Sequence, residues 1–263
     1  LTTPEQLAGL AVLVNGDDNT NTGYYKTATG TTDKTGELLT TRYNFSGVTI
    51  TLGTDIALNI AILSRQWTPI GNYSASTSNV FSGIFDGAGH TVSGLYIDSD
   101  GRFQGLFGYV SAGGMLKSLV ISGDISGVFY VGGLVGSCYG TVQNCNNTAE
   151  VKGAGAIGGL AGHLNSGSMT GCYNRGNVTG GGNVGGVAGT IYYSDVKNCA
   201  NYGIITGSNS NVGGVTGATY QTTAQNVYNT GSVNNTGSEG VSAAGGVVGL
   251  VQGGGILRNC YST

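Results

Sequence analysis

The chain has 263 residues, 51 of them glycine and only 9% charged, against roughly a quarter charged in an ordinary soluble domain. The glycines follow no Gly-X-Y period and no apolar run approaches the ~18 residues that would span a bilayer, so collagen and a spanning helix are excluded. Net charge is −3 and the 10 Lys plus Arg are scattered; without clustered cations to displace phosphate counterions or a basic amphipathic helix, neither a nucleic-acid partner nor membrane insertion is expected.

In chain order, Thr3-Pro4-Glu5-Gln6 opens a helix over residues 1–16, with Thr3 as cap, Pro4 in the first helical position and Gln6 closing a capping box. Leu7, Leu10, Ala11 and Val14 then form one apolar face that ends near Asn15-Gly16. Such a helix is expected to cover the open apolar end of whatever stacks behind it. Residues 17–44 are rich in Thr, Gly and Asp and read as a long excursion. Val48, Ile50 and Leu52 alternate as a strand, and Ile56, Leu58, Ile60 and Ile62 continue apolar. Trp67-Thr68-Pro69-Ile70-Gly71 and Phe85-Asp86-Gly87-Ala88-Gly89-His90 lead into Val92, Leu95 and Ile97. Residues 17–104 thus read as irregular first coils with long loops.

From residue 105 to 263 the chain repeats. Gly-[Leu/Val]-x-Gly recurs with its second position at Leu106, Leu134, Leu160, Val187, Val215 and Val247, at spacings of 28, 26, 27, 28 and 32 residues. A second column holds Leu119, Cys145, Cys172, Cys199, Val227 and Cys260, and a third holds Ile125, Val151, Val178, Ile205 and Val233. Three apolar positions, each in a β-prone run between Gly/Asn/Ser turns, predict three short strands per coil of about 27 residues. Such a unit cannot bury its own inner face, but stacked copies can, with strands about 4.8 Å apart. The predicted fold is an all-β, right-handed parallel β-helix with an N-terminal capping α-helix, forming one domain over 1–263. A propeller would need longer, four-stranded blades. Asn147, Asn174, Asn201 and Asn229 follow the second column by two residues and are expected to form a hydrogen-bonded ladder. The chain opens on Leu1 without an apolar leader and stops partway through a repeat, so a longer parent protein with further repeats or a covered end is expected.

Gly132-Gly133-Leu134-Val135-Gly136, with Asn144-Cys145 and Cys172-Tyr173-Asn174 following, resembles the GLUG-motif repeat of bacterial surface proteins. The Trp67 and Phe85 segments and the opening helix resemble the lead-in to those repeats, so the match covers nearly the whole chain. The 17–44 excursion and Val227 in place of Cys depart from it. The resemblance implies an extracellular or cell-surface location and a non-catalytic module.

Several residue groups could carry chemistry. Cys145, Cys172, Cys199 and Cys260 follow the repeat and lack CxxC spacing, so they read as buried reduced thiols rather than metal ligands, with a bridge between stacked neighbours left open. Cys138 lies outside the column and is expected to be the accessible thiol. A polysaccharide lyase or hydrolase, the alternative function, needs carboxylates converging on one face; aligned by repeat phase, no two adjacent coils are expected to place acids at one strand position. Asp86 reads as a turn residue, and Asp98 with Asp100 as a solvated turn carrying only a weak Ca²⁺ signal, so no cofactor is assigned. His90 and His163 have no nucleophile partner. Tyrosine offers the surface signal. Tyr139, Tyr192 and Tyr220 share one phase, and Tyr173, Tyr228 and Tyr261 another that should point outward beside the inward cysteines. These stripes could instead cover glycine-rich backbone; as a binding face they suit a glycan or protein ligand on an adhesion or spacer module.

Overall fold

The computed structural model describes residues 1–15, 42–58, 66–73, 78–209, 211–237 and 243–263. The excursion expected at 17–44 therefore lies outside the described residues up to residue 41, as do Ile60 and Ile62.

Helix α1 spans Pro4–Asn15. Thr3 Oγ1 accepts the Gln6 N–H at 3.3 Å, while Gln6 Oε1 reaches past Thr3 to the N–H of Thr2 at 2.7 Å. The capping box thus closes one residue earlier than expected. Leu7, Leu10, Ala11 and Val14 are buried in the same apolar cluster that fills the rest of the rod. Asn15 ties the helix end to the first windings: its Nδ2 donates to the Pro69 carbonyl, its Oδ1 accepts the Gly71 N–H and its own carbonyl accepts Asn79 Nδ2, at 2.7–2.9 Å. Those bonds satisfy groups that a helix terminus otherwise leaves open.

Behind the helix the chain winds as a parallel β-solenoid. Equivalent strands stack along four sheets of six, six, eight and twelve strands, and every pairing is parallel except one small antiparallel pair, Asn72–Tyr73 with Ser78–Asn79. The apolar columns stack as predicted. Leu134, Leu160, Val187, Val215 and Val247 are linked by successive backbone hydrogen bonds of 2.8–3.1 Å. Ile125, Val151, Val178, Ile205 and Val233 are direct register partners.

A regular winding holds five short strands rather than the predicted three: Ile157–Gly158, Ala161–Asn165, Ser168–Thr170, Tyr173–Asn174 and Val178–Gly180. One cause is the asparagine column. Asn174 Nδ2 donates both to the carbonyl of Gly176 two residues on (2.7 Å) and to Asn201 Oδ1 in the next winding (2.7 Å). Asn147 and Asn201 repeat the pattern, and Asn229 does so with Ser262 Oγ in the last winding. Each side chain folds its own backbone into a corner while bonding along the axis, and all four are fully buried. This also explains the second glycine of each Gly-Gly-[Leu/Val] element. A Cβ at Gly159 or Gly133 would lie 2.2 Å from the Oδ1 of Asn174 or Asn147, so the two sequence columns are opposite sides of one contact.

Cys145, Cys172 and Cys199 are stacked, with the Cys145 N–H on Cys172 Sγ (3.5 Å) and the Cys172 N–H on Cys199 Sγ (3.4 Å). All five cysteines are free. Burial pushes the thiols of Cys145 and Cys199 well up. Cys138 corrects the expectation of an accessible thiol: it is fully buried, and burial raises it to about 12. It belongs to a core column of its own, paired with Val110 and Leu164. Cys260 in the last winding is the partly exposed one.

Candidate functional site

One of the two six-stranded sheets, from Phe107–Val110 through Val135–Cys138, Ala161–Asn165, Ala188–Tyr192 and Thr216–Tyr220 to Val248–Gln252, carries the first tyrosine stripe at its outer margin. Tyr192 and Tyr220 are register partners, and Asn165 stands below Tyr192. Tyr139, one residue after the Cys138–Leu164 pair, falls in the same column. Between Tyr139 and Tyr192, where Asn165 leaves a gap, His163 supplies the ring: it lies 6.3 Å from Tyr139 and 5.3 Å from Tyr192, centroid to centroid. Its Nδ1 is 2.7 Å from Thr190 Oγ1, and burial lowers its pKa to about 4, so it is a neutral aromatic here.

The ladder runs further than the sequence columns. Tyr109 stacks on Tyr139 at 5.3 Å and Tyr73 stacks on Tyr109 at 5.3 Å. Alongside, Phe103 and Tyr130 stack at 5.3 Å with planes 17° apart. Both adopt left-handed backbone (φ 60° and 57°), as does Tyr193 at φ 50°, whose ring meets Tyr220 at 5.3 Å. Ser166 and Gln221, which stand at the position of Tyr193 in the neighbouring windings, take the same conformation (φ 53° and 47°), so it belongs to a turn of the repeat. The Arg102 guanidinium lies 5.1–5.9 Å from the rings of Phe103, Phe129 and Tyr130.

The second stripe also forms. Tyr173, Ala200, Tyr228 and Tyr261 are in register, and Tyr202 fills the gap above Ala200. Tyr228 stacks on Tyr261 at 5.1 Å with planes 5° apart, and its hydroxyl meets that of Tyr202, a contact that pushes the Tyr228 phenol up to about 12. Arg175 sits 4.8 Å over the Tyr202 ring.

The acids need one correction. Asp124 and Glu150 are register partners in adjacent windings, so carboxylates do share a strand position, because each directly precedes the Ile125–Val151 column. Glu150 is held by Lys152 at 2.7 Å. Asp86 makes the expected turn: its Oδ1 accepts the Ala88 N–H at 2.9 Å, and Lys117 at 2.9 Å holds its carboxyl below the usual range. Asp98 accepts from Ser126 Oγ at 2.9 Å. His90 pairs with Asp55 at 3.2 Å. Among the described residues no three His, Cys, Asp or Glu side chains converge as a metal site would require.

A parallel β-solenoid with aromatic rings stacked along its outer face is the class that these features define. No family model matches the chain. Over 103 residues, 38% of its length, it is 35% identical to halomucin of Haloquadratum walsbyi; over 83 residues, 30% of its length, it is 35% identical to a candidate Gly-rich membrane protein of Evansella cellulosilytica. Those stretches span 1% and 9% of the two relatives. The crystal structure of a candidate immunoglobulin A1 protease from Bacteroides ovatus is similar over 82% of this chain and 68% of its own, with a TM-score of 0.64 at 22% identity. That likeness establishes the β-helix fold and carries no activity with it.

Proposed function

We propose that the chain is a non-catalytic module of an extracellular bacterial surface protein, and that its aromatic ladder binds an extended glycan. The observation that carries this reading is the run of rings from Tyr73 through Tyr109, Tyr139, His163 and Tyr192 to Tyr220, with neighbouring centroids 5.3–6.3 Å apart. Windings repeat at about 4.8 Å, so a linear saccharide laid along the axis meets the outward edges of successive rings and the phenol hydroxyls they carry. The tyrosines of the run are exposed or partly exposed, His163 is buried between them, and few charges surround them, so contacts made there carry a low entropic cost. The GLUG-type resemblance of residues 132–136 and the similarity to a protein named as a membrane protein support surface placement.

A glycan array followed by calorimetry on the hits tests the reading. Tyr109→Ala and Tyr139→Ala should each weaken binding about five- to tenfold, the loss of roughly 1 kcal/mol per stacked ring. An array at background throughout would leave the rod as a stalk. New reducing ends in the glycan after incubation would move the chain to the enzyme class instead.

A further inference from the structure

The geometry points to an acidic saccharide, its carboxylate received by Arg102 in the cleft at the head of the ladder. This rests on the glycan reading and names the ligand class of the same face. The cleft measures about 570 Å³, and its walls include Asn72, Tyr73, Ser99, Arg102, Phe103 and Gln104. Tyr73 is 49% exposed and stacked on Tyr109, so it forms both a wall of the cleft and the first step of the ladder.

Arg102 is unlike the lysines around it. Lys117, Lys152 and Lys197 each hold a carboxylate at 2.7–3.0 Å. Arg102 pairs with no carboxylate among the described residues, although Asp98 and Asp100 lie four and two positions before it. Its neighbours are the three rings of Phe103, Phe129 and Tyr130. Contact with aromatic faces holds a planar guanidinium while leaving N–H groups at its edge, and that edge matches a carboxylate in a bidentate pair. A neighbouring residue fixes the loop. Gln104, only 7% exposed, donates its Nε2 to the Arg102 carbonyl at 2.8 Å. The Ser99 hydroxyl oxygen already accepts the Gly101 N–H at 2.9 Å, so its own proton can turn to a ligand oxygen. The result is a ring, a cation and hydroxyl or amide partners arranged for a pyranose bearing a carboxylate.

The test is calorimetry at low salt with three probes: tetragalacturonic acid, sialyllactose and neutral cellotetraose. At least one acidic probe should bind tenfold or more tightly than cellotetraose, and the preference should fade as salt rises. The better acidic probe tells whether a uronic or a sialic carboxylate is the source. R102Q should abolish the preference, bringing the acidic probe down to the affinity of cellotetraose for the same variant, whereas R258Q, which removes one charge far along the rod, should leave the preference intact. Equal binding of acidic and neutral probes, or an acid preference that survives R102Q, would overturn the acid reading and leave the ladder reading standing. If none of the three probes binds and the array is also at background, both fall. Unchanged melting of both variants separates these outcomes from misfolding.

Discussion

The first long windings and the later regular ones solve one corner in two different ways. At a single register position the residues are Val92, Ile121, Asn147, Asn174, Asn201, Asn229 and Ser262 in successive coils. Where the position is Val92 or Ile121, the strand runs unbroken over eight residues, Thr91–Asp98 and Val120–Gly127, and bends at Gly94 (φ 69°) and Gly123 (φ 147°), with a register shift beside Gly123. Where asparagine stands, the same path is split into two short strands by a polar corner. The cores differ in step. Phe85 and Phe107 give way along their columns to Val142 and Met169, and to Ala161 and Ala188. Bulky side chains thus fill the early interior, while small ones leave room for backbone and amides to approach in the later one. One winding geometry accepts either solution, provided each polar group brought inside is bonded.

This contrast can be broken most severely at the ladder. Asn174→Leu keeps size but removes the donors to Gly176 and Asn201 and the acceptor for Asn147. Three lost buried bonds should cost roughly 4 kcal/mol in urea unfolding, whereas Ile121→Leu at the same register in the early windings should cost under about 1.5 kcal/mol. Equal costs would mean that the two corners do not differ in kind.

A smaller effect should appear with pH at His163, which occupies the position of Tyr109 and Ser137 in earlier windings. Its folded pKa of about 4 lies below its ordinary 6.5. As pH falls below about 6.5 the unfolded chain takes up the proton first, so stability drops until about pH 4, by roughly 3 kcal/mol in total. His163→Thr, copying Thr190, should remove that part of the pH dependence when urea midpoints at pH 7 and pH 4 are compared. The smallest change belongs to the thiols. Val227 already fills the cysteine column and is fully buried, so Cys172→Val should cost less than about 1.5 kcal/mol. In the native protein a thiol reagent should label Cys260 ahead of the other four.

The columns were legible because register in a solenoid converts sequence period directly into contact: Val151 lies on Val178 because each occupies the same place in its coil. The asparagine ladder was legible for the same reason. Contacts between different columns were not. Tyr109 aligns with Ser137 yet its ring lies on Tyr139, and Tyr202 reaches over Ala200 from two residues away. Long side chains lean diagonally across windings, and a comparison made position by position misses them. Cys138 stands apart from the other cysteines in phase but not in burial, since Val110 and Leu164 share its column and mark it as core. The Asp124–Glu150 pair does follow the period, each acid standing directly before its member of the Ile125–Val151 column.

The amides of the ladder all face one way. From Asn147 to Asn229 every donor is directed toward the later winding and every accepting oxygen toward the earlier one. Their small dipoles therefore add head to tail, as peptide dipoles do along a helix. A protein with scarcely any net charge thus contains an internal axis with a positive pole toward Ser262 and a negative pole toward Ile121. Reversing one amide would set two like poles against each other on each side of it, so the direction of the first fixes the direction of all.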